Sequence, residues 1–411
     1  MEFTGFDEYA TIEYQTKTLV IKVVESKIEN VQRFSDKGYE VMLKKGNKYY
    51  VGREKTLDQR KLAEIVNILP ESQISPIISD TSGEYSQNKV HPTLEELYQD
   101  VSAIPPLLEG KNPIYGTITV TIVNRNLNTS KGLKSAEKKG WINAYFRVKR
   151  GEFSAQWAHT SNRFEQDKLR DCVETANELL KLSDRRADVN DGKYTVVLSP
   201  LVMANLMMYA SGMASGFSAM TGNSIFSDSK KGDEVASDVF TLRDIPDDEQ
   251  IGNWEFDDEG ERTFRKEIIY QGKFNTHLLN NETAKVFNAK STGNAGWIYP
   301  RSLALEIDTG TSKFHDMMDG NFIYVNNNWY TRFQNMAEGQ FSTVTRDATI
   351  LFRNGKPEGF VGRVRIADKL GNIVKNVIEL SRESYVVSWW DAPLPGRYPF
   401  AKIDNVSLTR A

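Results

Sequence analysis

A chain of 411 residues has room for two or three ordinary domains. With 39% hydrophobic and 26% charged residues it has the balance of a folded protein with a sizeable core, not of a disordered one. A formal net charge of −3 lacks the basic excess that nucleic-acid binders carry, so no nucleic-acid partner is expected.

The single cysteine, Cys172, has no partner for an internal disulfide, which fits a reducing compartment. The opening MEFTGFDEYATIEY has no basic segment followed by an apolar run. No stretch of about 18 apolar residues occurs. The expectation is a cytoplasmic protein without a membrane partner.

In chain order, alternation predicts strands over 18–24 (TLVIKVV) and 38–43. Gly46-Asn47 then turns the chain into a third strand at 48–51, a hairpin signal. Leu62, Ile65, Val66 and Leu69 recur at helical spacing, so 56–69 reads as a helix that Pro70 ends. Residues 71–92 are rich in Ser, Asn and Gly and read as a loop. A short helix at 93–101 precedes strands at 114–124, 140–149 and 151–158. Residues 162–182 make the clearest amphipathic helix, with Leu169, Cys172, Val173, Ala176, Leu179 and Leu180 on one stripe. That stripe gives Cys172 a packing role in preference to that of a reactive thiol.

The polar stretch 183–193 marks the main boundary. The expected fold is α+β, with a mixed α/β N-terminal domain over residues 1–190 and a β-rich C-terminal domain with a buried helix over 191–411. The second domain opens with a strand at 194–198 that runs into a helix at 201–216. Ser199 suits an N-cap and Pro200 the first turn. Val202, Leu206, Tyr209 and Met213 form one face, and Met203, Met207 and Ala210 the next. A helix apolar on nearly all sides belongs in a core. Gly212 and Gly216 would let another backbone approach closely. The rest of the chain reads as mostly strand, with Asn354-Gly355 as a hairpin signal.

Candidate chemistry is sparse. His91, His159, His277 and His315 are too scattered for one helix to offer two of them to zinc. Asp257-Asp258-Glu259-Gly260, in WEFDDEG, is dense enough in carboxylate to hold Mg²⁺ or Ca²⁺, but it lacks the alternation of an EF-hand loop and reads first as a solvated turn. Ser291-Thr292-Gly293-Asn294 reads either as a structural turn or as a peptide-binding loop that presents backbone amides. These residues supply no catalytic constellation, no metal-ligand set and no cofactor for this chain.

The motifs fall in an order that carries more information than any one of them. SPLVMANLM (199–207) is followed by GNSIF (222–226), DIPDD (244–248), FDDEG (256–260), Thr283-Ala284, STGNA (291–295), NMAEGQFS (335–342) and LFRNGKPEG (351–359). This succession resembles the TldD/PmbA family, once called modulators of DNA gyrase, most strongly over 190–411. The resemblance implies one of two branches. TldD-type subunits carry an HExxxH helix and a later cysteine, which hold zinc for peptide-bond hydrolysis. TldE/PmbA-type subunits lack these residues and pair with a TldD-type subunit. Matching GNSIF without gaps to the family's G-x-S-x-F stretch places Met207 at the first histidine, Met208 at the glutamate and Gly212 at the second histidine. The cysteine falls near Val387. None of these side chains can ligate zinc or act as a general base in the usual way.

The resemblance therefore implies a non-catalytic TldE/PmbA-type subunit of a metallopeptidase complex. The expected partner is a TldD-type zinc peptidase subunit in a heterodimer, with zinc in that partner, peptides or unfolded segments as substrate, and a homodimer when the chain is alone. Two other classes compete. One is a stand-alone peptidase using FDDEG with a distant histidine. The other is a homodimeric peptide-binding scaffold.

Overall fold

The computed structural model describes residues 3–252 and 254–410. Its first unit is built on a meander in which β1 (Glu8–Val24), β2 (Lys27–Lys45) and β3 (Lys48–Glu54) run antiparallel. Gly46, at φ 57°, makes the turn that Gly46-Asn47 predicts. The strands outrun their apolar stretches. No residue from 27 to 37 is buried, so the backbone ladder holds that half of β2. The helix α1 (Gln59–Ile68) starts after Asp58, whose Oδ1 accepts the N–H groups of Arg60 and Lys61 at 3.1 Å. Its Leu62 and Val66 pack with Val41 and Leu43.

The strand β4 (Gly83–Lys89) corrects the reading of 71–92 as a loop. GEYSQNK shows no apolar alternation because no residue of this edge strand is fully buried and only Tyr85 packs against a core. Next come α2 (Pro92–Gln99), a 3₁₀ turn at Pro105–Leu108, β5 (Ile114–Thr129), β6 (Leu133–Arg150), β7 (Phe153–Ser161) and α3 (Gln166–Lys181). The sheet order is β3-β2-β1-β5-β6-β4, with β7 also on β6. Along that edge β6 pairs with β4 as far as Lys139 and with β7 from Ile142 onward. Gly140 and Trp141 lie in the gap. Cys172 is buried on α3, and burial holds its thiol far above the ordinary range.

The second sheet begins inside the polar stretch read as the boundary, with the two-residue β8 (Arg186–Ala187). Then follow β9 (Gly192–Leu198), α4 (Pro200–Met213), α5 (Gly216–Met220), β10 (Leu242–Asp244), β11 (Lys266–Tyr270), β12 (Lys273–Phe274), α6 (Asn281–Val286), β13 (Leu305–Ile307) and α7 (Phe314–Met317). The last group is β14 (Phe322–Asn335), β15 (Gln340–Arg353), β16 (Lys356–Val361), β17 (Val364–Lys369), α8 (Leu370–Lys375), β18 (Val377–Trp389) and β19 (Ala392–Arg410). The expectation of mostly strand beyond α4 fits from β14 onward. Between 221 and 321 the elements are short, and buried Asp, Asn and Ser side chains take many of the backbone hydrogen bonds that a ladder would supply.

Period-2 alternation places the second sheet between two layers. On β9, Val196 and Leu198 join the core around α4, while Val197 joins the core of the first unit. On β14, Ile323 and Val325 face α4, and Phe322 and Tyr324 face the first unit. An apolar core therefore spans the seam between the units. Ser199 caps α4, with its Oγ accepting the Leu201 N–H at 3.1 Å. Among the described residues no helix is long and apolar enough to cross a membrane.

Candidate functional site

The helix α4 and the end of β18 form one module. The Trp389 indole N–H donates to the Leu201 carbonyl at 3.2 Å, and the Asn205 amide donates to the Asp391 carbonyl at 2.6 Å. The Asn205 Oδ1 accepts from Asn328 at 2.9 Å and from the Thr331 hydroxyl at 2.7 Å. Asn205 is fully buried, so these bonds pin the β18–β19 hairpin and β14 onto α4. Met207 lies in the core, Met208 is half-buried, and Gly212 is exposed one turn further on. Val387 is buried on β18. A zinc site needs nitrogen, sulfur or carboxylate donors converging on one point. Two thioethers, an alkyl group and a bare glycine do not fit it. Among the described residues no group of three or more His, Cys, Asp or Glu could hold a metal ion.

The acidic turn is not solvated. Asp257, Asp258 and Glu259 are each at most 3% exposed, which corrects the sequence reading. Asp258 meets Arg125 of β5 at 3.0 Å, and Arg125 also donates to the carbonyls of Phe256 and Asp257. Asp257 accepts the N–H groups of Glu259, Glu261 and Ala295. Burial outweighs those bonds and pushes its pKa up to about 7. Glu259 accepts from Asn280 and Asn281, and burial holds it well above the usual carboxylate range. The turn is an ionic staple between the units, and its carboxylates are committed to protein partners.

The loop Ser291–Asn294 also faces inward. The Thr292 Oγ1 accepts the Leu279 N–H at 2.7 Å and donates to Asn294 at 2.8 Å. Asn294 is fully buried and donates to Asp244 at 2.7 Å and to the Arg301 carbonyl at 2.9 Å. Lys266 bonds both Asp244 and Asn294 at 3.0 Å. Gly293, at φ 66°, turns the chain where a Cβ would come within 2.2 Å of the Arg262 carbonyl oxygen. The side chains of Thr292 and Asn294 are thus spent on internal bonds.

The histidines are dispersed in space as in sequence. His277 packs between Phe274 and Phe287 and bonds the Phe226 carbonyl at 3.0 Å. Burial pushes the His159 pKa down to about 4, so that ring is neutral near pH 7. His91 caps α2.

A cleft of about 860 Å³ opens along the seam. One wall is the β6 edge at Lys139, Gly140 and Trp141, and facing it are residues 246–252, Trp254, and Ser388 with Pro393–Pro395 of the β18–β19 hairpin. Lys139 is 7% exposed and donates to the Gly252 carbonyl at 2.7 Å. Its Nζ lies 5.0 Å from the centre of the Trp254 ring. Burial, and then Lys89 nearby, hold its pKa well below the lysine range. An interrupted strand edge beside two indoles suits an extended chain. Sequence reading misses this cleft because its walls come from six separate segments. The one local signal is Trp254 beside the acidic turn.

Residues 191–410, more than half of the chain, match the family model described as PmbA/TldA metallopeptidase C-terminal domain. The chain belongs to the PmbA/TldD family. A metalloprotease of Methanocaldococcus jannaschii, MJ0996, is 31% identical over 144 residues, a match spanning 33% of this chain and 32% of that protein. The fold is similar to that of TldE from Thermococcus kodakarensis, with a TM-score of 0.83, 18% identity, and coverage of 98% of this chain and 97% of that one. It is also similar to a protein described as a modulator of DNA gyrase from Thermotoga maritima, with a TM-score of 0.81, 15% identity, and coverage of 98% and 96%.

The ordered motifs of this PmbA/TldD chain now have physical roles. In GNSIF, Ser224 donates to the Met213 carbonyl at 2.6 Å and Phe226 enters the core. In DIPDD, Asp244 is buried against Lys266, and Asp248 takes two hydrogen bonds from Arg397 at 2.8 and 3.1 Å. In LFRNGKPEG, Asn354 and Gly355 at φ 50° and 72° make the tight β15–β16 turn. Most motif residues hold the fold together. The sites that differ in chemistry are the α4–β18 module and the cleft.

Proposed function

We propose that this chain is a non-catalytic, TldE/PmbA-type subunit that pairs with a TldD-type zinc peptidase and helps to hold its peptide substrate. The observation that carries this reading is the donor set at one packed module. Met207, Met208, Gly212 and Val387 stand where the resemblance places two histidines, a glutamate and a cysteine. The zinc and the bond-breaking step then belong to the partner.

On this reading the chain's share is binding. The seam cleft takes an extended peptide along the β6 edge at Gly140 and Trp141, where main-chain hydrogen bonds give affinity with little sequence demand. The buried ionic staple keeps both walls in register.

The test is co-expression with a TldD-type subunit, followed by co-purification, metal analysis of each chain and peptide cleavage. The expected result is a stable complex with zinc in the partner and cleavage only by the complex. Stoichiometric zinc on the isolated chain, or cleavage by it alone, would overturn the proposal.

A further inference from the structure

A second pocket, of about 600 Å³, lies along the seam and shares no lining residue with the first. Five basic and two acidic side chains line it. Both acids are already neutralised. Asp347 takes two bonds from Arg147, at 2.6 and 3.0 Å, and further bonds from Ser154 and Asn327. Glu152 pairs with Arg186.

Three cations are left over: Lys149, whose Nζ lies 5.3 Å from the centre of the Tyr115 ring, and two arginines. Arg346 on β15 and Arg363 in the turn before β17 place their guanidinium carbons 4.5 and 5.5 Å from the centre of the same Trp329 ring. Among the described residues neither has a carboxylate partner, and neither donates a hydrogen bond within the chain. Arg346 is half-buried, and burial together with Arg147 nearby makes its charge harder to hold. A guanidinium fixed on an aromatic face without a bonded carboxylate is a preformed anion receptor. The pocket is also lined by Phe153 and Phe360, stacked at 4.4 Å, and by Tyr115.

We propose that this pocket binds the C-terminal carboxylate of a peptide, with Arg346 and Arg363 on the carboxylate and Phe153, Phe360 and Tyr115 against the last side chain. The guanidinium fork matches a carboxylate in two-point geometry. Bare phosphate makes no use of the aromatic wall. The site needs no partner subunit, so it stands or falls apart from the pairing reading.

The test uses the purified full chain alone. A dye-labelled pentapeptide ending in phenylalanine is titrated as the free acid and as the C-terminal amide, with inorganic phosphate as competitor. The free acid is expected to bind about tenfold more tightly than the amide. Arg346→Gln and Arg363→Gln should each weaken binding about tenfold, and Arg346→Lys should retain part of it. Arg170→Gln on the exposed face of α3 should change nothing. Arg363 is exposed, so its variant decides the matter if Arg346→Gln is unstable. Equal affinity for acid and amide, no binding of either, indifference to both Gln variants, or a phosphate that binds more tightly than the peptide would each overturn the proposal.

Discussion

Arg125 and Asp258 lie 133 residues apart in sequence and meet at 3.0 Å across the seam, with side chains 5% and 4% exposed. Arg125 is also 3.8 Å from Glu137. Removing Arg125 takes the buried cation away from both Asp258, which keeps only the exposed Arg301 at 3.2 Å, and Glu137. Arg125→Met is expected to cost about 3–5 kcal/mol in urea unfolding. Asp258→Asn should act in the same direction, and the double variant should cost less than the sum of the two. An additive double variant would show that the pair is not coupled.

The Asp257 pKa gives a pH dependence with a defined sign. An unfolded aspartate ionises near pH ~4, whereas burial keeps Asp257 protonated up to about 7. In that window the folded chain binds more protons than the unfolded chain. The stabilisation from this group is full below the unfolded pKa and is lost as pH rises through about 7. Thermal midpoints measured from pH 5 to 8 should show a fall that is smaller in Asp257→Asn. Identical slopes would remove Asp257 as the cause.

Gly212 in the last turn of α4 and Gly216 at the start of α5 should respond with opposite signs. A Cβ on Gly212 would meet nothing within 4 Å, so Gly212→Ala is expected to stabilise by about 0.4–1 kcal/mol. A Cβ on Gly216 would fall 2.5 Å from Leu279 Cδ2 and 3.1 Å from Thr283 Cβ. Gly216→Ala should destabilise by about 1–3 kcal/mol. Denaturant midpoints of the two variants check the contrast.

Asn205 holds three neighbours with one side chain. Asn205→Leu leaves the Asp391 carbonyl, the Asn328 amide and the Thr331 hydroxyl short of a partner. The expected cost is about 2–4 kcal/mol. Amide hydrogen exchange at Trp389–Ala392 should quicken beyond the global effect, because the hairpin loses its tie to α4. Uniform quickening over the whole chain would count against a local role.

Much of α4 was legible because its signals are local. Ser199 and Pro200 mark its start, and its apolar faces mark its burial. The Gly46 and Asn354-Gly355 turns were legible for the same reason. The strand β4 was not, because an edge strand without a buried face leaves no apolar period. The burial of FDDEG was not legible either, since the charge that permits it, Arg125, arrives from a distant strand. The Gly216 reading fits, since its N–H donates to the Leu278 carbonyl at 2.8 Å and the Leu279 and Thr283 side chains pack where a Cβ would stand, whereas Gly212 faces open space. The seam cleft and the arginine pocket are products of tertiary assembly, with walls drawn from both units.

The strand β19 pairs with β9, β13, β17 and β18. These four partners are made before it during synthesis, and none can complete its ladder until it arrives. The first sheet is drawn wholly from β1–β7, so it can assemble early on the ribosome. The second must wait with open edges, and closing such distant pairs is slow. A ribosome-stalled chain that lacks β19 should therefore present a folded first unit and a sticky, protease-sensitive second one, and the interval before β19 emerges would be a time of high aggregation risk.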